Sequence, residues 1–207
     1  MPKVNSDSEE KIKAAAKKIF LQKGFDGATF KNISEEAKVN TALLNYYFGT
    51  KEKLFLEVFD ESFFLFIRLI YQIMEQDIPL EVKIYSMVDK YTDLILENPM
   101  MPIFITSEIQ RNPEKLIKHF GIFKQPTDTF LARQLASEAA KGTIREIDAL
   151  QFEMALLGLI LFPFMGRPIM NLRGVDTDLA FKAFVLERKK IIPEMMMAYL
   201  KTGTKQQ

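Results

Sequence analysis

Residues 29–54 read TFKNISEEAKVNTALLNYYFGTKEKL, and the fold turns on how this stretch parses. Thr29 is placed to cap a short helix whose inward positions are Ile33 and Ala37. Lys38, Val39 and Asn40 form a turn. Asn40 or Thr41 then caps a second short helix, Ala42 to Phe48, because a short side-chain oxygen can accept an orphan backbone N–H. Gly49 ends that helix and Thr50 caps a third. Helix, tight turn and helix is the arrangement that lets a second helix enter a DNA major groove. Val39, Leu43, Leu44 and Phe48 are apolar and suited to packing back on the first helix. Asn40, Thr41, Asn45, Tyr46 and Tyr47 remain for the outer face, which is polar, aromatic and uncharged. Short polar groups reach base edges, and lysine and tyrosine suit phosphates.

The same residues carry a resemblance. Gly24-Phe25, Ala28-Thr29, Ile33, Ala37, Val39, the run Leu44-Asn45-Tyr46-Tyr47-Phe48, Lys51-Glu52 and Leu54-Phe55 together resemble the DNA-binding segment of the tetracycline-repressor (TetR) family of bacterial transcription regulators. Lys38 stands where that family often has glycine, and Ser34 where it often has alanine. The resemblance implies phosphate contacts at Thr29, Tyr47 and Lys51. It also implies a dimer, made by pairing the last two helices of each subunit.

From the residues themselves, Asn45 is the leading candidate for base reading, since its amide can bond adenine bidentately. Thr41 and Ala42 suit a thymine methyl. Asn40 has two competing roles, cap and base contact. Tyr46 has three: base, phosphate or core. No arginine precedes Arg68, so the commonest guanine contact is missing and Lys38 is the nearby cationic substitute. Part of the specificity is therefore expected from DNA shape.

Charge supports a local nucleic-acid contact. The chain of 207 residues has net charge +1, yet residues 1–55 hold ten lysines against seven acids and the remainder is slightly acidic. A mildly basic end on a near-neutral chain suits one DNA-binding unit better than general polyanion binding. Zero cysteines exclude disulfides, thiolate metal sites and thiol redox sensing. Met1 to Lys18 lacks the apolar core of a signal peptide. The most apolar run, Ala155 to Met170, is interrupted by Pro163, Gly166 and Arg167, so no membrane span is expected.

Period-two alternation is scarce and helical spacing is common, so the chain reads as all-α. Residues 1–55 are expected to form a three-helix helix-turn-helix domain, and residues 56–207 a larger helical domain for ligand binding and dimerisation. Met1 to Asn5 reads as a disordered lead-in. Ile12, Ala16, Ile19 and Phe20 form the buried stripe of a first helix that Gly24 stops. Lys51 to about Gln76 reads as one long helix running from the first domain into the second. Further helices are expected at Pro79–Glu97, Pro99–Gln110, a segment from Asn112 to Phe123, Gln125–Ala140, Ala149–Gly166 and Thr177–Lys201, with Pro193 bending the last.

The 18 phenylalanines and 11 methionines permit an apolar pocket. Its candidates are Phe66, Met87, Tyr91, Phe104, Phe130 and Met154, each weighed against ordinary core packing. His119 is the only histidine, and no metal site, cofactor or catalytic constellation is expected. The reading is a cytoplasmic, homodimeric DNA-binding regulator, most naturally a ligand-responsive repressor on a palindromic operator. Its partners are duplex DNA, a second copy and a small, largely apolar effector. Two alternatives stand beside it: a helical small-molecule carrier or enzyme that uses the apolar cavity, and a DNA-binding dimer with no effector.

Overall fold

The computed structural model describes residues 6–111, 113–114 and 129–202, without the side chains of Ser6 and residues 65–67. Expectations for Met1–Asn5, Asn112, the segment to Phe123, His119 and the start of the Gln125 helix lie outside those residues. Ten helices and no strand occur among the described residues: α1 (Ser6–Gly27), α2 (Phe30–Ala37), α3 (Thr41–Phe48), α4 (Lys51–Met74), α5 (Leu80–Glu97), α6 (Met101–Arg111), α7 (Phe130–Ala140), α8 (Ala149–Met165), α9 (Arg167–Leu172) and α10 (Asp178–Lys201).

Short polar side chains set most of the starts. Thr29, Asn40, Thr50, Thr129, Asp148 and Thr177 each accept a backbone N–H from the first turn of α2, α3, α4, α7, α8 and α10. Gly24, at φ +66°, interrupts α1 three residues before its end. That region is easiest for glycine, because a Cβ would crowd the following carbonyl.

α1, α2 and the first turns of α4 enclose a small core of Ile12, Ala16, Phe20, Ala28, Ile33, Leu44 and Leu54, all fully buried. α4 runs on without interruption into the second bundle. The expected boundary at 55/56 therefore falls inside a helix, between Phe55 and Phe59, whose rings stack at 5.7 Å. The same cluster takes in Phe20 of α1 and Phe104 of α6, with ring centres 5.0 and 5.7 Å from Phe55.

A polar contact joins the two parts at one further point. Arg111 of α6 lies 3.4 Å from Asp26 at the end of α1 and 3.2 Å from Glu108. Glu108 is buried and accepts the Phe25 backbone N–H; burial holds its carboxyl above the ordinary value, while Arg111 pulls the other way.

In the second bundle α10 packs along α5 and against α8. Lys189 bridges Asp89 and Asp93 at 2.8 and 2.6 Å, and Lys201 meets Glu81 at 3.4 Å. Rising numbers on α10 thus meet falling numbers on α5, so the two run antiparallel. Lys83 of α5 is fully buried. Its ammonium donates to the Met74 carbonyl at 3.0 Å and sits 4.4 Å from the Phe130 ring, tying the end of α4 to the start of α7. No helix among the described residues is long and apolar enough to cross a membrane.

Candidate nucleic-acid interface

α3 is held rigidly by what it buries. Leu44 and Phe48 are inside, while Leu43 and Tyr47 pack partly against the same core. The turn before it closes α2 with a pair of backbone bonds, Val39 N–H to Ser34 carbonyl at 3.0 Å and Lys38 N–H to Glu35 carbonyl at 3.3 Å. That pattern puts one residue in the left-handed region. Here it is Lys38, at φ 55° and ψ 44°, and no other non-glycine among the described residues has positive φ. The departure from glycine noted in the sequence thus falls on the one position of the turn where glycine would be easiest.

The candidate residues divide by what their atoms already do. Asn40 caps α3, its Oδ1 accepting the Ala42 N–H at 2.8 Å, and the residue is exposed. Thr41 Oγ1 lies 2.9 Å from Ser34 Oγ. Ser34 donates its one hydroxyl proton to the Lys31 carbonyl, so Thr41 is the donor in the pair and its hydroxyl is committed to locking α3 onto α2. This gives a reason for serine where the family often has alanine. Thr29 uses its Oγ1 to accept the Asn32 N–H and keeps a proton to donate. Ala42 and Asn45 are exposed, and Asn45 makes one long bond, 3.3 Å, to the Thr41 carbonyl. Tyr46 is 72% exposed, so of its three options the core is the one it does not take. Tyr47 is half-buried, with its ring 5.4 Å from Tyr46.

Lys51 has a second task. Its ammonium donates to the carbonyls of Phe25 and Ala28 at 2.9 and 3.0 Å and lies 4.3 Å from the Phe25 ring. Two of its three N–H groups thus clamp the α1–α2 turn from the first residue of α4. Helical phase explains the direction: Leu54 and Val58, three and seven residues on, are both buried. Lys53 is on the opposite side, exposed and without an ion pair among the described residues. It is a phosphate candidate that sequence reasoning passed over, and the phase of α4 was the signal that could have found it.

Lys51→Met should therefore cost about 2 kcal/mol of stability, at the low end for two hydrogen bonds to a charged group because the site is partly open to water. Urea unfolding measures it. A loss below about 0.5 kcal/mol would mean the clamp is energetically idle.

The positive charge of α1 is largely spent inside the protein. Lys11 pairs with Asp7 and Lys18 with Glu36. Lys13 meets Glu9, Glu57 and Glu61 at 3.1 to 3.4 Å; desolvation opposes its charge, but these carboxylates outweigh it and hold the ammonium above its ordinary value.

Residues 12–58 match the family described as bacterial regulatory proteins, tetR family. The match lies wholly within the N-terminal segment that holds α2 and α3. The transcriptional repressor NicS of Pseudomonas putida is 41% identical over 56 residues, 27% of this chain and 26% of that protein. The transcriptional regulator HbdR of an Aromatoleum species is 33% identical over 82 residues, 40% of this chain and 32% of that protein. The matched stretches thus span a quarter to a third of the curated relatives' length. For the remainder the likeness is one of fold. The chain aligns with the crystal structure of HlyIIR, a hemolysin II transcriptional regulator, at TM-score 0.65 and 22% identity, covering 95% of this chain and 98% of the other. The all-helical architecture with an N-terminal helix-turn-helix is that of such structures.

The structure describes the side chains of five of the six apolar candidates for a ligand pocket. Met87, Tyr91 and Phe104 are buried in packed core, Phe130 covers Lys83, and Met154 lies on the outer face of α8, 51% exposed. The side chain of Phe66 lies outside the described residues. Two clefts beside the α5–α6 turn are lined by none of these six.

Proposed function

We propose that the chain is a homodimeric DNA-binding transcriptional regulator that presents α3 to the major groove of a palindromic operator. The observation that carries this reading is the outer face of α3. It is short, polar and uncharged, with Ala42, Asn45 and Tyr46 exposed on a helix locked to its partner by Leu44, Phe48 and the Thr41–Ser34 bond. In this reading Asn45 reads a base and Ala42 meets a thymine methyl. Thr29, Tyr47, Lys53 and the remaining N–H of Lys51 face phosphates, and Lys38 and Asn40 border the groove. The reading has no catalytic step.

The second copy is supported by the outer surface of α8 and α10. Leu150, Met154, Phe162 and Met165 on α8, and Ile191, Met195 and Tyr199 on α10, are all at least a third exposed. Contiguous apolar surface of this kind marks an interface. Gly158 sits exposed in the middle of α8, and a Cβ there would meet nothing within the subunit. A mid-helix glycine costs about 1 kcal/mol relative to alanine; close approach of a partner helix gives it a purpose. A two-fold axis through this face would set two α3 helices on successive faces of the duplex, about 34 Å apart.

NicS is a repressor by name. By that likeness, the expected mode here is repression relieved when an effector favours a second spacing of the two α3 helices.

The test is anisotropy with duplexes from the DNA flanking this chain's own gene. Affinity should fall log-linearly with salt as phosphate contacts are lost. Asn45→Ala should cost about 1–3 kcal/mol on the preferred duplex and less on unrelated DNA. Equal losses on both would remove Asn45 from base reading, and salt-independent or absent binding would remove the DNA reading itself.

A further inference from the structure

The larger consequence lies in the cleft between the start of α6 and the end of α8. Its volume is about 290 Å³, and its walls include Met100, Ile103, Phe164, Met165 and Phe181, with Arg167 at the edge. Phe164 and Phe181 are buried and meet edge to face at 5.4 Å, so this wall is fixed. At about 30 Å³ for each water-sized group, the space takes roughly ten non-hydrogen atoms. It is almost wholly apolar, with a single fixed charge.

That charge is poorly committed. The Arg167 guanidinium lies 4.5 Å from the Phe181 ring, and its carboxylate partner is Asp178, whose side chain is 96% exposed. An ion pair with so exposed a partner is worth little. A ligand carboxylate arriving with an apolar tail would take the fork of the guanidinium in place of Asp178, in a drier setting where charge-assisted hydrogen bonds are stronger. A phosphate would carry nearly two charges to one cation among apolar walls; a carboxylate matches the charge one for one.

We propose that this cleft binds a small monocarboxylate with an apolar tail, Arg167 taking the carboxylate and the Phe164–Phe181 wall the tail. The site also has a route to the DNA-binding unit. Pro99 and Met100 line both this cleft and a neighbouring groove of about 340 Å³ whose other wall is Ala14, Lys17 and Leu21 of α1. An occupant bears directly on the α5–α6 turn that stands against α1. The effect on DNA rests on the regulator reading given above; the binding does not.

The test uses the full chain without DNA, with calorimetry and thermal shift against hexanoate, octanoate and decanoate and the matching alcohols. Octanoate should bind saturably and raise the melting temperature, and octanol should bind about ten- to a hundredfold more weakly, the worth of a charge-assisted hydrogen bond. Arg167→Gln should bring the carboxylate down to the alcohol and leave the alcohol unchanged. Met100→Trp, at a residue about half exposed and so tolerant of change, should fill the cleft and weaken both. Absence of saturable carboxylate binding overturns the proposal, as does equal binding of acid and alcohol, or octanoate binding that Met100→Trp leaves intact. Duplex binding measured in parallel, without ligand, reports on the regulator reading alone, so the two can fail separately.

Discussion

Met195→Glu is expected to leave the subunit folded, convert the dimer to monomers and weaken operator binding by about three orders of magnitude. Met195 is 52% exposed on α10, so in the isolated subunit the glutamate stays in water and costs little. In a two-fold interface the same position is buried on both subunits, and each copy brings an uncompensated charge out of water. A buried, unpaired charge is destabilising by about 3–5 kcal/mol, and two such charges exceed what a typical interface of this kind can absorb.

Loss of the dimer reaches the DNA through geometry. Two recognition helices on one body bind the second half-site at high effective concentration, whereas separate subunits must bind each half-site alone. Val82→Glu is the control, because Val82 is 49% exposed on α5 and so lies on neither of the two helices assigned to the interface. It should change neither association nor affinity. Sedimentation velocity gives the oligomeric state and anisotropy the affinity. A Met195→Glu protein that remains dimeric, or a monomer with undiminished affinity, would place the interface elsewhere.

The helical frame was legible because its signals are local. Ile12, Ala16, Ile19 and Phe20 recur at helical spacing and all are buried. The caps at Thr29, Thr50, Asp148 and Thr177 need only a short oxygen next to an apolar run. What failed to show was phase and distance. α8 ends at Met165, one residue from the expected Gly166, but the run from Ala155 to Met170 is apolar nearly all round and has no periodicity that marks the short α9. The break falls at Gly166, whose φ of −92° and ψ of 19° leave the helical region.

The phosphate contact that the resemblance implies for Lys51 leaves out its second task, although the spacing to Leu54 and Val58 turns it toward the Phe25 and Ala28 carbonyls. The lining of the cleft between α6 and α8 was least legible of all. Phe104 of α6 is core while Ile103 beside it lines a cleft, and composition cannot distinguish one face of a helix from the next until the neighbours are in place. The Arg111–Asp26 contact spans 85 positions of sequence, beyond any local pattern.

The second large effect is expected at Phe59. This fully buried ring stacks on Phe55 and Phe63 and packs against Phe104 at 5.4 Å. Phe55 in turn touches Phe20 and Phe25 at 5.0 Å each. The cluster therefore runs from α1 through α4 to α6, where the helix-turn-helix unit meets the second bundle. Phe59→Ala removes a ring from its middle and leaves a cavity that helices held from both sides cannot close. Such truncations cost about 3–5 kcal/mol, which for a chain of this size lowers the melting temperature by roughly 10 °C.

The distribution of the loss matters as much as its size. If the cluster joins the two parts into one cooperative unit, Phe59→Ala should still unfold in a single transition, with the same midpoint by a fluorophore on α3, attached through Asn45→Cys in a chain that has no other cysteine, and by overall helicity. Phe59→Leu, which refills much of the space, should recover more than half of the loss. A cost under about 1 kcal/mol would show that the ring is not packed as described. An early, separate transition at α3 would show that the long helix, rather than the aromatic cluster, is what connects the DNA-binding unit to the rest.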